Sequence, residues 1–97
     1  MSTTTKQAVA IPPAIWEQDQ TIWKAWIASI DVSWHTLQAY KRMIAGFYSL
    51  LELPIRQVTE EHLNDYAEYL SNDRTKPTVK THMTAIRQYW RFAQSHP

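Results

Sequence analysis

Apolar residues recur along this chain at intervals of three and four in four separate stretches, each bounded by residues that stop or start a helix. The first spans about residues 16–30, where Trp16, Ile22, Trp23, Trp26, Ile27 and Ile30 share one side. Pro12 and Pro13 keep any helix from running in from the N-terminus, so residues 1–15 are expected to form a flexible tail and an extended lead-in. Ser33 is placed to cap a second helix over residues 34–52, with Val32 and Leu37 as a hydrophobic staple around it. That helix would bury Leu37, Tyr40, Met43, Ile44, Phe47, Leu50 and Leu51. Pro54 ends it, and Ile55 and Val58 are expected to tuck under the core from the connection.

Thr59 caps a third, shorter helix over 60–71, stapled by Val58 and Leu63, with Leu63, Tyr66, Ala67 and Leu70 inward. Glu60, Glu61, Asn64, Asp65 and Glu68 form its outer face, which is predicted to point away from any polyanion. A polar loop, SNDRTK, leads to Pro77, a residue suited to the first turn of a fourth helix over 77–94. Its two kinds of residue separate cleanly on the wheel. Val79, His82, Met83, Ala85, Ile86, Tyr89, Trp90, Phe92 and Ala93 take one half, while Lys80, Thr84, Arg87 and Arg91 form a stripe on the other. Gly46, the sole glycine, sits at the border of the second helix's faces, where a close helix crossing would account for it.

Charge changes this picture more than composition does. The net charge is only +1, yet residues 59–73 carry five acids and no base, while residues 74–97 carry five bases and no acid. A nearly neutral domain with one acidic and one basic side can still steer a polyanion to one face. The same stripe is also what the solvated half of an ordinary surface helix looks like, so both readings stand at this point. Ninety-seven residues suffice for one core, and 44% hydrophobic content with five tryptophans supplies it. The absence of cysteine removes disulfides and thiolate metal sites, and no signal peptide or membrane span is visible, so a cytoplasmic location is expected. His35, His62, His82 and His96 are not spaced as a ligand set, and one glycine excludes a glycine-rich phosphate loop. No metal, cofactor or small-molecule substrate is therefore expected, and His82 is predicted to be a boundary residue of the apolar face.

Two segments carry a resemblance. His35 to Ile44, HTLQAYKRMI, is similar to the T-L-x-A-Y-R-R-D-L that opens the second helix of the N-terminal core-binding, SAM-like domain of tyrosine recombinases, the group of phage integrases, Xer-type resolving recombinases and Cre. Thr78 to Phe92, TVKTHMTAIRQYWRF, resembles that domain's T-I-x-x-x-L-S-A-L-R-x-F-x-x-F, and Thr59 to Leu70 its short I-T-x-x-x-I-x-x-Y-L helix. The likeness covers about residues 16–95. It implies an all-α, compact four-helix orthogonal bundle forming half of a clamp on double-stranded DNA, with other recombinase subunits as neighbours and a separate catalytic domain absent from this chain. It implies a bacterial, archaeal or phage-encoded setting, and DNA integration or recombination as the process served. Carried onto matching positions, it nominates Thr36, Gln38, Lys41 and Arg42 on the second helix, with Thr78, Lys80, Thr81, Thr84, Arg87 and Arg91 on the fourth, as DNA contacts. Catalytic residues are expected to be none. The competing expectation is a helical protein-interaction module presenting the tryptophans of the first helix.

Overall fold

The computed structural model describes residues 11–96, so residues 1–10 of the expected tail lie outside the described residues. Within them the fold is all-α: α1 (Pro13–Ser29), α2 (Trp34–Leu51), a single 3-10 turn at Ile55–Gln57, α3 (Glu60–Ser71) and α4 (Lys76–Ser95). The helix boundaries agree with the periodicity except at the start of α1. There the helix begins on Pro13 itself, because a proline at the first helical position gives up an amide hydrogen that has no partner in any case. Ile11 and Ile15 pack against the core, so the lead-in is partly ordered.

The caps explain where the other helices begin. Ser33 Oγ accepts from the Thr36 amide at 3.2 Å, although Val32, which the expected staple would cover, is exposed. Thr59 accepts from the His62 amide at 3.3 Å while the Thr59 amide donates to His62 Nδ1 at 2.9 Å, a reciprocal capping box in which histidine takes the usual glutamate position. Thr75, a loop residue by sequence, accepts from the Thr78 amide and starts α4 one residue before Pro77. α2 ends on Glu52 in a left-handed conformation, φ 54°, and Pro54 then turns the chain under the bundle, burying Ile55 and Val58.

α4 is the element against which α1, α2, α3 and the 3-10 turn all pack. The domain's extents of 36 × 34 × 29 Å are close to equal, whereas helices of this length lying side by side would make a rod, so the helices cross steeply. Ile44, Phe47, Leu63, Leu70, Ile86 and Tyr89 form the centre of the core. Trp26 fits between Tyr40 and Tyr89, with ring centroids 5.9 and 5.2 Å away, and Trp23 meets Tyr89 edge-on at 5.3 Å.

Two expectations need correction. Leu50, expected inside, is exposed while Tyr48 is 1% exposed, because α2 is rolled to send Tyr48 towards α1 and α4. The Tyr48 hydroxyl donates to Asp19 Oδ2 at 2.5 Å and lies 2.7 Å from the Tyr89 hydroxyl. Asp19 Oδ2 also accepts the Ile55 amide at 2.7 Å, so one buried carboxylate ties α1, α2, α4 and the 3-10 turn together. Gly46 does not mark a close crossing. A Cβ built there meets only the Tyr66 hydroxyl, at 3.5 Å, which is ordinary contact, and the glycine forgoes about 1 kcal/mol of helix propensity without a packing reason.

Candidate nucleic-acid interface

α2 and α4 contain no acidic residue, α3 contains four and no base, and the fold sets the two acid-free helices against each other. On α4 the wheel holds: Lys80, Thr81, Thr84, Gln88, Arg91 and Gln94 are exposed, while Met83, Ala85, Ile86, Tyr89 and Ala93 are buried. On α2, Lys41 and Arg42 are exposed, and Thr36 and Gln38 are half-buried.

The nominated residues do not all reach solvent in the same condition. Lys41, Arg42, Lys80 and Arg91 make no ion pair among the described residues and are free to meet phosphate. Arg87 differs: it pairs with Glu60 at 2.5 Å and donates to Asn64 Oδ1 at 3.2 Å, and its side chain is only 26% exposed. The expectation that the whole acidic face of α3 turns away from the basic stripe is thus wrong for Glu60 and Asn64. They lie one turn apart on the edge of α3 that packs on α4, and they hold the middle cation of the stripe.

The hydroxyls are also engaged. Thr81 donates to the Pro77 carbonyl at 3.0 Å and Thr84 to the Lys80 carbonyl at 2.8 Å, which uses the proton of each and leaves an oxygen able only to accept. Thr78 accepts from the Thr75 hydroxyl and Thr36 from the Ser33 hydroxyl, so both belong to helix caps.

The two cations of α2 also part company. Lys41 borders an apolar groove formed with Trp16, Trp23, Lys24 and Ile27 of α1. Arg42 borders a recess between α2, α3 and α4 in which Tyr66, Arg74 and His82 also take part. His82 is half-buried, as a boundary residue should be, but its Nδ1 is buried with no hydrogen-bond partner. Desolvation and then the nearby Arg74 hold its pKa below the ordinary histidine value. Sequence reasoning named neither Arg74 nor His82 as a site residue. The signal available was that Arg74 opens the acid-free quarter of the chain.

The hydroxyls of Tyr48, Tyr66 and Tyr89 are poor nucleophiles here. Burial is the first cause of a raised pKa at Tyr48, Tyr66 and Tyr89, reinforced at Tyr48 by Tyr89 and Asp19. Among the described residues there is no group of three or more metal-ligating side chains and no helix long and apolar enough to cross a membrane.

Comparison with curated proteins and with solved structures finds no significant match. Comparison with family profiles does find one, the phage integrase N-terminal SAM-like domain, over residues 25–96, which takes in the last turn of α1 and the described residues after it. With that match over most of its length, and with four helices and no strand among the described residues, the chain belongs to the phage integrase N-terminal SAM-like domain family.

Proposed function

We propose that this chain is the DNA-binding, core-binding domain of a tyrosine recombinase, and that it lies on duplex DNA through the exposed faces of α2 and α4. The observation that carries the reading is the pairing of the two acid-free helices, with Lys41, Arg42, Lys80 and Arg91 exposed and without acidic partners. Cations left unpaired on a protein surface are free to displace counterions from a phosphate backbone, and that release drives association. With the hydroxyl protons of Thr81 and Thr84 donated to their own helix, the contacts are mostly to phosphate. They position the domain rather than read bases.

The chain alone binds and does not cut or join, since its buried tyrosines are held as neutral hydroxyls. Its partners are duplex DNA and other recombinase subunits on that DNA. The setting is the cytoplasm of the cell where recombination takes place.

Titration of the chain against a duplex at several salt concentrations tests this. Four phosphate contacts give a slope of log affinity against log salt near −3.6, at roughly 0.9 per contact. Binding that is insensitive to salt overturns the reading. A second reading, a protein-docking surface, has one observation in its favour, the apolar groove of Trp16, Trp23 and Ile27 on α1. It predicts association that survives high salt and maps to α1.

A further inference from the structure

The recess between α2, α3 and α4 has a chemistry that general basic character does not explain. Arg42 enters it from α2, Tyr66 from α3, Arg74 from the α3–α4 connection and His82 from α4, and no carboxylate lines it. Neither guanidinium has an ion-pair partner among the described residues. Two like charges brought to one concavity repel each other unless an anion sits between them. His82, half-buried, also lines the recess, and its Nδ1 is buried without a hydrogen-bond partner in the fold.

Gly46 supplies a third, independent observation. It lines the same recess, and neither backbone conformation nor helix packing requires it, since it lies in ordinary helix and a Cβ would meet only the Tyr66 hydroxyl at ordinary contact distance. What a side chain at this position would do is take up space in the recess.

We propose that this recess binds a phosphate group. Arg42 and Arg74 face its oxygens from two sides, the form of recognition for which guanidinium geometry is suited. The His82 ring and the Tyr66 hydroxyl supply neutral hydrogen bonds, and Gly46 leaves the room. The proposal rests on the DNA-binding reading for its source, a backbone phosphate of the duplex, which Arg42 reaches from the border of the α2 face. Free phosphate carries the same chemistry, and the test separates the two.

The experiment follows backbone amide and His82 ring resonances of the full chain during titration with inorganic phosphate, with sulfate and with a short duplex. Inorganic phosphate is expected to shift Gly46, Arg74 and His82 saturably. His82 is expected to titrate at higher pH in sulfate, because an anion offsets the charges facing the ring, Arg42 from α2 and Arg74 from the connection, with Tyr66 of α3 neutral. Arg74→Gln, at an exposed position, should abolish both effects and lower the duplex salt slope by about 0.9. Gly46→Ala should raise Tm while weakening phosphate binding, a combination that a purely structural glycine does not give. If phosphate shifts the Lys80 and Arg91 stripe instead of the recess, or if Arg74→Gln leaves binding and slope unchanged, the site is overturned while the DNA-binding reading stands. If phosphate occupies the recess and no duplex binds, the site is supported with free phosphate as its ligand and the DNA-binding reading falls.

Discussion

Two polar clusters inside this small domain are built from similar parts and differ in whether they are closed. In the first, Asp19, Tyr48, Tyr89 and the Ile55 amide satisfy one another within 2.5–2.7 Å, and Asp19 is 3% exposed. In the second, Arg42, Arg74, His82 and Tyr66 converge with no acid among them and with a buried ring nitrogen unpartnered. The closed cluster joins four elements and leaves nothing for a ligand to do. In the open one only Tyr66 belongs to the core, and the two guanidiniums make no ion pair among the described residues that would join helices. The difference separates polar groups that hold the bundle together from cations that the fold leaves without an ion pair among the described residues.

The largest expected effect comes from opening the closed cluster. Asp19→Ala removes one buried acceptor, strands the Ile55 amide and leaves the Tyr48 hydroxyl with the Tyr89 hydroxyl alone. Hydrogen bonds to a charged group contribute about 1.5–3 kcal/mol, and a stranded buried donor adds to the loss, so the variant should lose about 3 kcal/mol or more. Urea denaturation measures it, and a loss under 1 kcal/mol would show that the network is not what joins α1 to the rest. Arg42→Gln, in the open cluster, should by contrast stay within about 0.5 kcal/mol of the parent protein.

Next in size is the effect of the Glu60–Arg87 pair, an intermediate case in which a cation of the α4 stripe has been closed by a neighbour. Lys80→Gln should reduce the duplex salt slope by about 0.9, and Arg87→Gln by distinctly less, because Arg87 already has its counter-charge. Glu60→Gln should then release Arg87 and steepen the slope. An equal loss from Lys80→Gln and Arg87→Gln, with no response to Glu60→Gln, would show that the ion pair gives way on DNA. The pair itself is a surface contact, with side chains 26% and 56% exposed, and a double-mutant cycle should assign it no more than about 1 kcal/mol.

The sequence made the helices and most of the core legible because periodicity and capping are local. Ser33, Thr59, Pro54 and Pro77 act within a few residues of themselves, and their effects are where the pattern places them. What escaped depends on where one helix meets another. Asp19 lies in register with Ile15, Ile22 and Trp26, and a lone carboxylate on an apolar face was the one available sign of a buried network. That its partners are the Tyr48 hydroxyl and the Ile55 amide, 29 and 36 positions away, is fixed only by how α1 meets α2 and the 3-10 turn. The Glu60–Arg87 pair and the Arg42–Arg74 recess escaped for the same reason: wheel projections show each helix's faces but not which edge of the next helix lies opposite. Of the ten nominated DNA contacts, the free cations follow from the wheel alone, whereas the engagement of Thr81 and Thr84 with their own backbone follows from rotamers.

The smallest expected effect is none at all. A tyrosine that attacks a phosphodiester needs cationic donors converging on the non-bridging oxygens and a hydroxyl whose proton can leave. Tyr48 and Tyr89 are buried in the core, and burial pushes the pKa of both hydroxyls up. Tyr66 does border the Arg42–Arg74 recess, and Arg74 acts to lower its pKa, but burial outweighs that and the net direction is upward. A phosphate held there therefore meets Tyr66 as a neutral hydrogen-bond donor. Incubation of the chain with supercoiled and nicked DNA should yield no relaxation and no covalent adduct, and Tyr66→Phe should weaken phosphate binding without changing that outcome. An adduct lost in Tyr66→Phe would show that the open cluster is a reaction centre and not a binding recess.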